Sequence, residues 1–244
     1  MSFAVRPIGL VKSAFVWRPT ISADATNWVL YSQAIAAGWD GVVPLDAEVT
    51  VNSGIVLSAN STSLYGFDTG SGFPAGTTLE LIMPGYVCGM GGAGGSYSTG
   101  VTGKNGGPAL RAQHAISIDA SGGVIAGGGG GGGGSSYYAA GGGGGRSGRT
   151  NSSGGVDTSP GASGTFSSGG KGGAWSGGAA GGTTGPGANG SAGGGGGGGG
   201  GWGASGGTGY NSPTPNAGGA GGAAVVGNSY ITWINTGTRY GSIT

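Results

Sequence analysis

The sequence predicts a mainly β and irregular protein: a small β domain with one short helix, followed by a packed bundle of polyglycine II helices. Three observations lead there. Sixty-nine of the 244 residues are glycine, with unbroken runs at 127–134, 141–145 and 193–201. Residues 42–88 alternate apolar and polar side chains in the manner of strands. Six Trp, nine Tyr and five Phe are far more aromatic residues than a disordered low-complexity chain carries.

Glycine demands a physical account. Fixing one residue's backbone costs roughly 1–2 kcal/mol, and glycine brings no side chain to bury in return. Such runs either stay unfolded or pack main chain against main chain. The ordered candidate is the extended threefold helix, rising about 3.1 Å per residue without internal hydrogen bonds, so that its peptide groups must bond to neighbouring helices. Collagen is disfavoured: Gly187, Gly190, Gly193, Gly196 and Gly199 keep a spacing of three, Trp202 then breaks it, and the chain has ten prolines.

Taken in order, residues 1–21 hold Arg6, Lys12 and Arg18 among apolar residues such as Phe3, Val5, Phe15 and Trp17. They read either as an arm that docks on a larger assembly or as an edge strand of the adjoining domain. Residues 22–88 form the β domain. Asn27 is a candidate cap for a helix over 28–37 that ends at Gly38. Ala47, Val49 and Val51 then alternate with Glu48 and Thr50, a turn follows at 52–54, and a return begins at Ile55. Residues 65–74 read as a loop and 79–83 as a strand. Cys88 is the one cysteine, which excludes an internal disulfide and suggests a buried structural thiol.

A strand-turn-strand repeat links this domain to the glycine region of 89–224. Residues 80–89 and 117–127 are its two copies, the second with one extra residue at the turn, and both run straight into glycine. Each glycine segment is therefore launched from a strand end. Residues 225–244 return to alternation, Tyr230, Thr232 and Ile234 against Ile231 and Trp233, and read as a closing strand or hairpin.

Charge and motifs exclude several functions. Net charge is +1 and 7% of residues are charged, so neither nucleic acid nor a membrane surface is an expected partner. No 18-residue apolar stretch occurs and the first residues lack a signal-peptide pattern, which predicts no membrane insertion and no standard secretion. His114 is the one histidine, and its spacing from Asp119 makes no catalytic triad. Asp46 and Glu48 would share one strand face, either to hold a cation or simply solvated. No metal-ligand spacing is present and no cofactor is expected. The glycines after Gly89 meet a dinucleotide-binding spacing, but no helix follows them. The chain is not expected to be an enzyme.

Recognition by contact fits better. Tyr97, Tyr137, Tyr138, Trp175, Trp202 and Tyr210 lie in inserts between glycine runs, with too few aliphatic neighbours to bury them. Arg146 and Arg149 share such an insert. These eight residues are the candidate receptor-binding set. For Phe166 and Trp175 the alternative is that they seal the ends of the bundle.

The stretches MPGYVCGMGGAGG, GGPALRAQHAISI, GGVIAGGGGGGGG and NSYITWINTGTRYGSI resemble the glycine-rich receptor-binding proteins of tailed bacteriophages. The chain is similar to T-even-type long-tail-fibre adhesins and to C-terminal modules of central tail fibre proteins, over roughly residues 22–244. The resemblance implies layered polyglycine II helices and distal loops that touch a bacterial outer-membrane protein or surface glycan. It further implies a place at the tail-fibre tip of a virion, with residues 1–21 meeting other tail-fibre or tail-tip proteins. One copy or a homotrimer remain alternatives. A glycine-rich coat protein and an ice-binding polyglycine bundle are the rival readings; the irregular inserts disfavour the first and the scattered Tyr, Trp and Arg the second.

Overall fold

The computed structural model describes residues 13–96, 102–135, 141–142, 144, 161–166, 168–173, 177–191, 195–210 and 216–244. It is mainly strands with one α-helix. Among the described residues no helix is long and apolar enough to cross a membrane.

The strands are short because, from β2 on, the chain turns a corner after each one and joins a different sheet. The first coil runs through β1 (Phe15–Trp17), β2 (Thr20–Ile21), β3 (Ala25–Thr26) and β4 (Trp28–Val29). After α1 (Leu30–Ala36) come β5 (Leu45–Val51), β6 (Val56–Ser58) and β7 (Phe67–Asp68). The third coil is β8 (Thr78–Ile82), β9 (Tyr86–Cys88) and β10 (Leu110–Arg111). The fourth is β11 (Ile116–Asp119), β12 (Val124–Ala126) and β13 (Val225–Val226). β14 (Ile231–Asn235) and β15 (Thr238–Tyr240) begin a fifth, which Ile243 continues by a parallel bridge to Val225. The sheets are ordered β1-β5-β8-β11-β14, β3-β6-β9-β12-β15 and β4-β7-β10-β13, with β2 also on β5. Every strand pair is parallel. This is a β-solenoid of five coils.

Alternation decides what faces inward. In β5, Leu45, Ala47, Val49 and Val51 are buried and the residues between them are half-buried. Parallel register stacks like on like along the coil axis: Val49, Leu81, Ile118 and Trp233 in the first sheet, Leu57, Val87 and Ile125 in the second. Trp28, Phe67, Leu110 and Val225 form the third column. One apolar core fills the inside. On the outside of the third sheet Asp68 is buried. It accepts from Arg111 Nε at 3.0 Å, from Gln113 Nε2 at 3.1 Å and from the Gly70 amide at 2.9 Å.

Several local expectations change in this frame. The turn with Gly54 at φ +78° leads not into an antiparallel return but around a corner into β6. Residues 65–74 are not all loop, because Phe67–Asp68 is β7. Asn27 does not cap the helix. It sits at φ +50° with its Oδ1 accepting the Asn60 amide, while Trp28 is drawn into a strand by stacking on Phe67, and the helix starts at Leu30. Gly38 follows the helix with φ +101°. Residues 15–17 and 20–21 pair with β5, so this part of the predicted arm is an edge of the first sheet.

The two ends of the coil stack are unlike. At the last coil the Trp233 indole N–H donates to Asn228 Oδ1 at 2.9 Å, and the Arg239 guanidinium stands 5.0 Å over the Trp233 ring. The same coil also exposes Tyr230, Ile234 and Ile243. At the first coil Trp17 lies flat on Trp28, centroids 6.3 Å apart, and Trp28 lies on Phe67. Among the described residues this column ends on Trp17, and the outer edges of β1, β3 and β4 are unpaired.

Both glycine segments are inserts at the same corner, 89–109 between β9 and β10 and 127–224 between β12 and β13. The predicted repeat explains why. Its copies pair in register, Leu81 with Ile118 and Cys88 with Ala126, so Gly89 and Gly127 start side by side. Backbone bonds then recur every third residue: the amides of Gly89, Gly92 and Gly95 donate to the carbonyls of Ala126, Gly129 and Gly132, each at 2.8 Å. The boundary drawn at Cys88 is therefore not an edge of the solenoid, whose sheets continue through β10 to β15.

The run from Gly127 lies at the centre of the bundle. Its amides and carbonyls bond to 92–95, 104–107, 142, 197–203, 204–207 and 219–222. The neighbours other than 142 are reached by residues three apart, as Gly128 and Gly131 reach Gly107 and Lys104. No side chain fits between these backbones: a Cβ on Gly130 would lie 1.9 Å from the Gly219 carbonyl oxygen.

Candidate functional site

Among the described residues the runs 89–96, 127–134, 168–173, 185–190 and 203–209 lead away from the strands and 102–107, 141–144, 161–166, 177–181, 195–201 and 216–222 lead back, so their ends fall at two poles. At the end near the strands lie the tight turns at 165–168 and 181–185, where Thr165 donates to the Ser168 carbonyl and Gly185 to that of Gly181. The turn at Trp202 joins them, its amide donating to Thr183 and that of Gly203 to Gly127.

The far end is built from the residues flanking 97–101, 136–140, 174–176, 192–194 and 211–215. Gly95 donates to Gly132, and Gly141 to Gly95. Gly209 and Asn216 form an antiparallel bridge, and Asn216 Nδ2 donates to the Gly134 carbonyl at 2.8 Å. Tyr210 donates its amide to Gly195, Gly178 to Gly196 and Gly190 to Thr208. Ser96, Ser135 and Asn216 are buried here, and burial of Asn216 is compensated by its hydrogen bond to Gly134. Asparagine closes outer backbone groups elsewhere too: Asn105 Oδ1 accepts the Ala220 amide and Asn189 Oδ1 the Thr208 amide, both at 2.9 Å.

Of the candidate contact residues, Tyr210 is half-buried at this far end. Tyr97, Tyr137, Tyr138, Arg146, Arg149 and Trp175 lie outside the described residues. Tyr97 directly follows Ser96, the two tyrosines follow Ser135 by two and three residues, and Trp175 falls between Gly173 and Gly177.

Trp202 requires a correction. It is not exposed but 7% accessible, at the opposite end of the bundle. It packs against Phe166 at 5.2 Å, Tyr240 at 5.7 Å and Tyr86 at 6.4 Å between ring centroids, over Val56, Cys88 and Ala126. Its sequence neighbours are glycine, so its cover comes from residues distant in the chain, the strand residues Tyr86 and Tyr240 and the turn residue Phe166. Phe166 meets Tyr86 edge-on at 5.5 Å and so seals this end. Cys88 is buried in the same cluster.

Titratable groups are occupied structurally. Asp46 and Glu48 hold the Arg18 guanidinium, at 2.8 Å and 3.7 Å, instead of a cation. The Arg18 hydrogen bond, with a smaller one from the Thr78 hydroxyl, holds the Asp46 carboxyl below its ordinary range. The hydroxyl and amide of Ser121 and the Asn235 side chain do the same for Asp119. The His114 ring lies 4.9 Å from that of Phe73. Among the described residues no group of three or more His, Cys, Asp and Glu side chains comes together to hold a metal.

The depressed Asp46 carboxyl makes stability depend on pH. Its folded value lies below its unfolded one, so its stabilisation is complete above the unfolded carboxylate pKa of about 3.9 and fades as pH falls through the folded value. Asp46→Asn is expected to lower stability at neutral pH and to flatten the acid limb of a denaturation series below about pH 4. Parallel acid limbs for variant and parent would contradict it.

The same architecture exists in a solved structure. The chain matches one with a TM-score of 0.59 and 24% identity, over 95% of this chain and 82% of the other: the crystal structure of the gp37-gp38 adhesin tip complex of the bacteriophage S16 long tail fiber. No curated protein sequence matches. The family model described as phage tail fibre adhesin Gp38 matches residues 17–244, which takes in both glycine inserts and every strand from β2 to β15. The chain belongs to the phage tail fibre adhesin Gp38 family.

Proposed function

We propose that this adhesin is the receptor-binding tip of a tail fibre. Its glycine inserts form a polyglycine II scaffold whose far end recognises a bacterial outer-membrane protein or surface glycan. The bonds recurring every third residue match the three residues per turn of that helix. Recognition rests on aromatic contact. The observation that carries this reading is the gathering at one end of the chain flanking Tyr97, Tyr137, Tyr138 and Trp175, together with Tyr210.

The other pole serves attachment. The first coil, with Trp17 outermost in its column and three unpaired edges, supports docking of a fibre protein through residues 1–21. The S16 structure is a gp37-gp38 complex at the tip of a long tail fiber, and the present chain is assigned a partner of the same kind. Several copies per particle would turn modest single contacts into firm attachment.

Replacing Tyr137 and Tyr138 together by Ala tests the recognition end. Cell binding by the purified protein is expected to fall by about tenfold or more, the scale of a contact residue at the centre of an interface. Unchanged binding to cells of the plating host would remove these residues from the proposed surface.

A further inference from the structure

The aromatic cluster around Trp202 sits where the bundle and the solenoid are joined. Tyr86, Val56, Cys88 and Ala126 come from the outward side of three adjacent coils, and Tyr240 from the next. Phe166 and Trp202 come from two separate turns of the bundle. The backbone around Trp202 is tied on both sides, to Thr183 in a third turn and, through Gly203, to Gly127 where the central run begins. Gly203 takes φ +61°, and a Cβ there would lie 2.4 Å from the Gly241 nitrogen, so the turn is pressed onto the last coil.

Elsewhere inside the bundle, runs meet through backbone hydrogen bonds between glycines that repeat every third residue. A repeating pattern of that kind resists separation but permits a shift by one repeat. The interlocked rings are different: edge-on and tilted contacts at 5.2 to 6.4 Å have one arrangement that fits.

We propose that Trp202 is a positioning residue for recognition: it fixes the direction in which the bundle leaves the solenoid, and therefore where the far end is presented. This rests on the receptor-binding reading above for its biological meaning, but its structural content stands separately. Trp202 acts through the bundle and touches no receptor.

The test uses the full chain with spin labels at Val42→Cys and Lys171→Cys. Both sites are exposed, one on the solenoid and one on the bundle, and the native Cys88 is buried. A narrow inter-label distance distribution is expected for the parent and for Trp202→Phe, which keeps a ring in the cluster. Trp202→Ala is expected to broaden it by about twofold or more, with strand amides of β5 and β8 still protected from exchange. Phe166→Ala, which leaves Trp202 in place, is expected to broaden it less. An unchanged distribution in Trp202→Ala would overturn the proposal. So would broadening that Trp202→Phe does not reverse.

Binding to plating-host cells is the second reading. It is expected to fall by about tenfold in Trp202→Ala, the penalty of lost pre-organisation, and to recover in Trp202→Phe. Lost binding with an unchanged distance distribution would make Trp202 a contact residue and refute positioning. A parent protein that does not bind the cells would refute the receptor reading, while the distance data still decide the joint.

Discussion

Gly130→Ala is expected to dissolve the order of the glycine bundle while leaving the solenoid coils in place. The added carbon would lie 1.9 Å from the Gly219 oxygen, 2.5 Å from its carbonyl carbon and 2.8 Å from the Ala220 oxygen. All three are backbone atoms, so no rotamer change relieves the clash. Nor is there slack behind them: Gly219 itself donates to Gly131 and accepts from Gly206. Ordinary overpacking of a side-chain core costs about 1–3 kcal/mol because neighbours shift. Here they are held, and an effect above about 4 kcal/mol is expected. Gly185→Ala is the control, since its nearest contact is 3.1 Å and its backbone is not left-handed; a change under about 1 kcal/mol is expected there. Exchange protection at Gly128, Gly131 and Gly219 is the measurement. Equal protection in Gly130→Ala and parent would show that the runs do not pack as closely as described.

The second large effect is expected from ending the chain at Ala224. The sequence presents 225–244 as a closing strand or hairpin. In the structure these residues finish the fourth coil with β13 and supply the fifth. Their loss strips Val225 from Leu110, Ile231 from Ile116, Trp233 from Ile118 and Arg239 from Ile125, baring three sheets at once. It also removes the Tyr240 carbonyl that accepts from Gly127 and the Ser242 carbonyl that accepts from Ala224. Removing a single large core side chain costs about 2–5 kcal/mol, and a small domain holds about 5–15 kcal/mol in all, so the truncated chain is expected not to fold. Limited proteolysis checks this. A protease-resistant 1–224 fragment would mean that the coils do not depend on one another.

What could be read from the sequence was local. The alternation from Leu45 to Val51 names the buried face of β5, and the strand-turn-strand repeat places both glycine launches at strand ends. Parallel winding was hidden because alternation reports which side is buried, not which strand is the neighbour. The third sheet was nearly invisible, since β4, β7, β10 and β13 have two residues each and no period shows in two residues. Trp202 was misplaced for a related reason. Its flanks contain nothing that could cover a ring, and Tyr86 and Tyr240, which do, are far away along the chain. Arg18 reaching across to Asp46 and Glu48 likewise depends on β1 lying beside β5, a long-range pairing that no local pattern encodes.

Both inserts open at one corner, so the polypeptide passes between solenoid and bundle four times, at 88/89, 109/110, 126/127 and 224/225. Under the proposed receptor-binding reading, a particle tethered by the far end and dragged by flow would put tension on this junction. Four covalent strands share the load in parallel. The fibre tip can therefore be pulled hard without any hydrogen bond having to bear the strain alone.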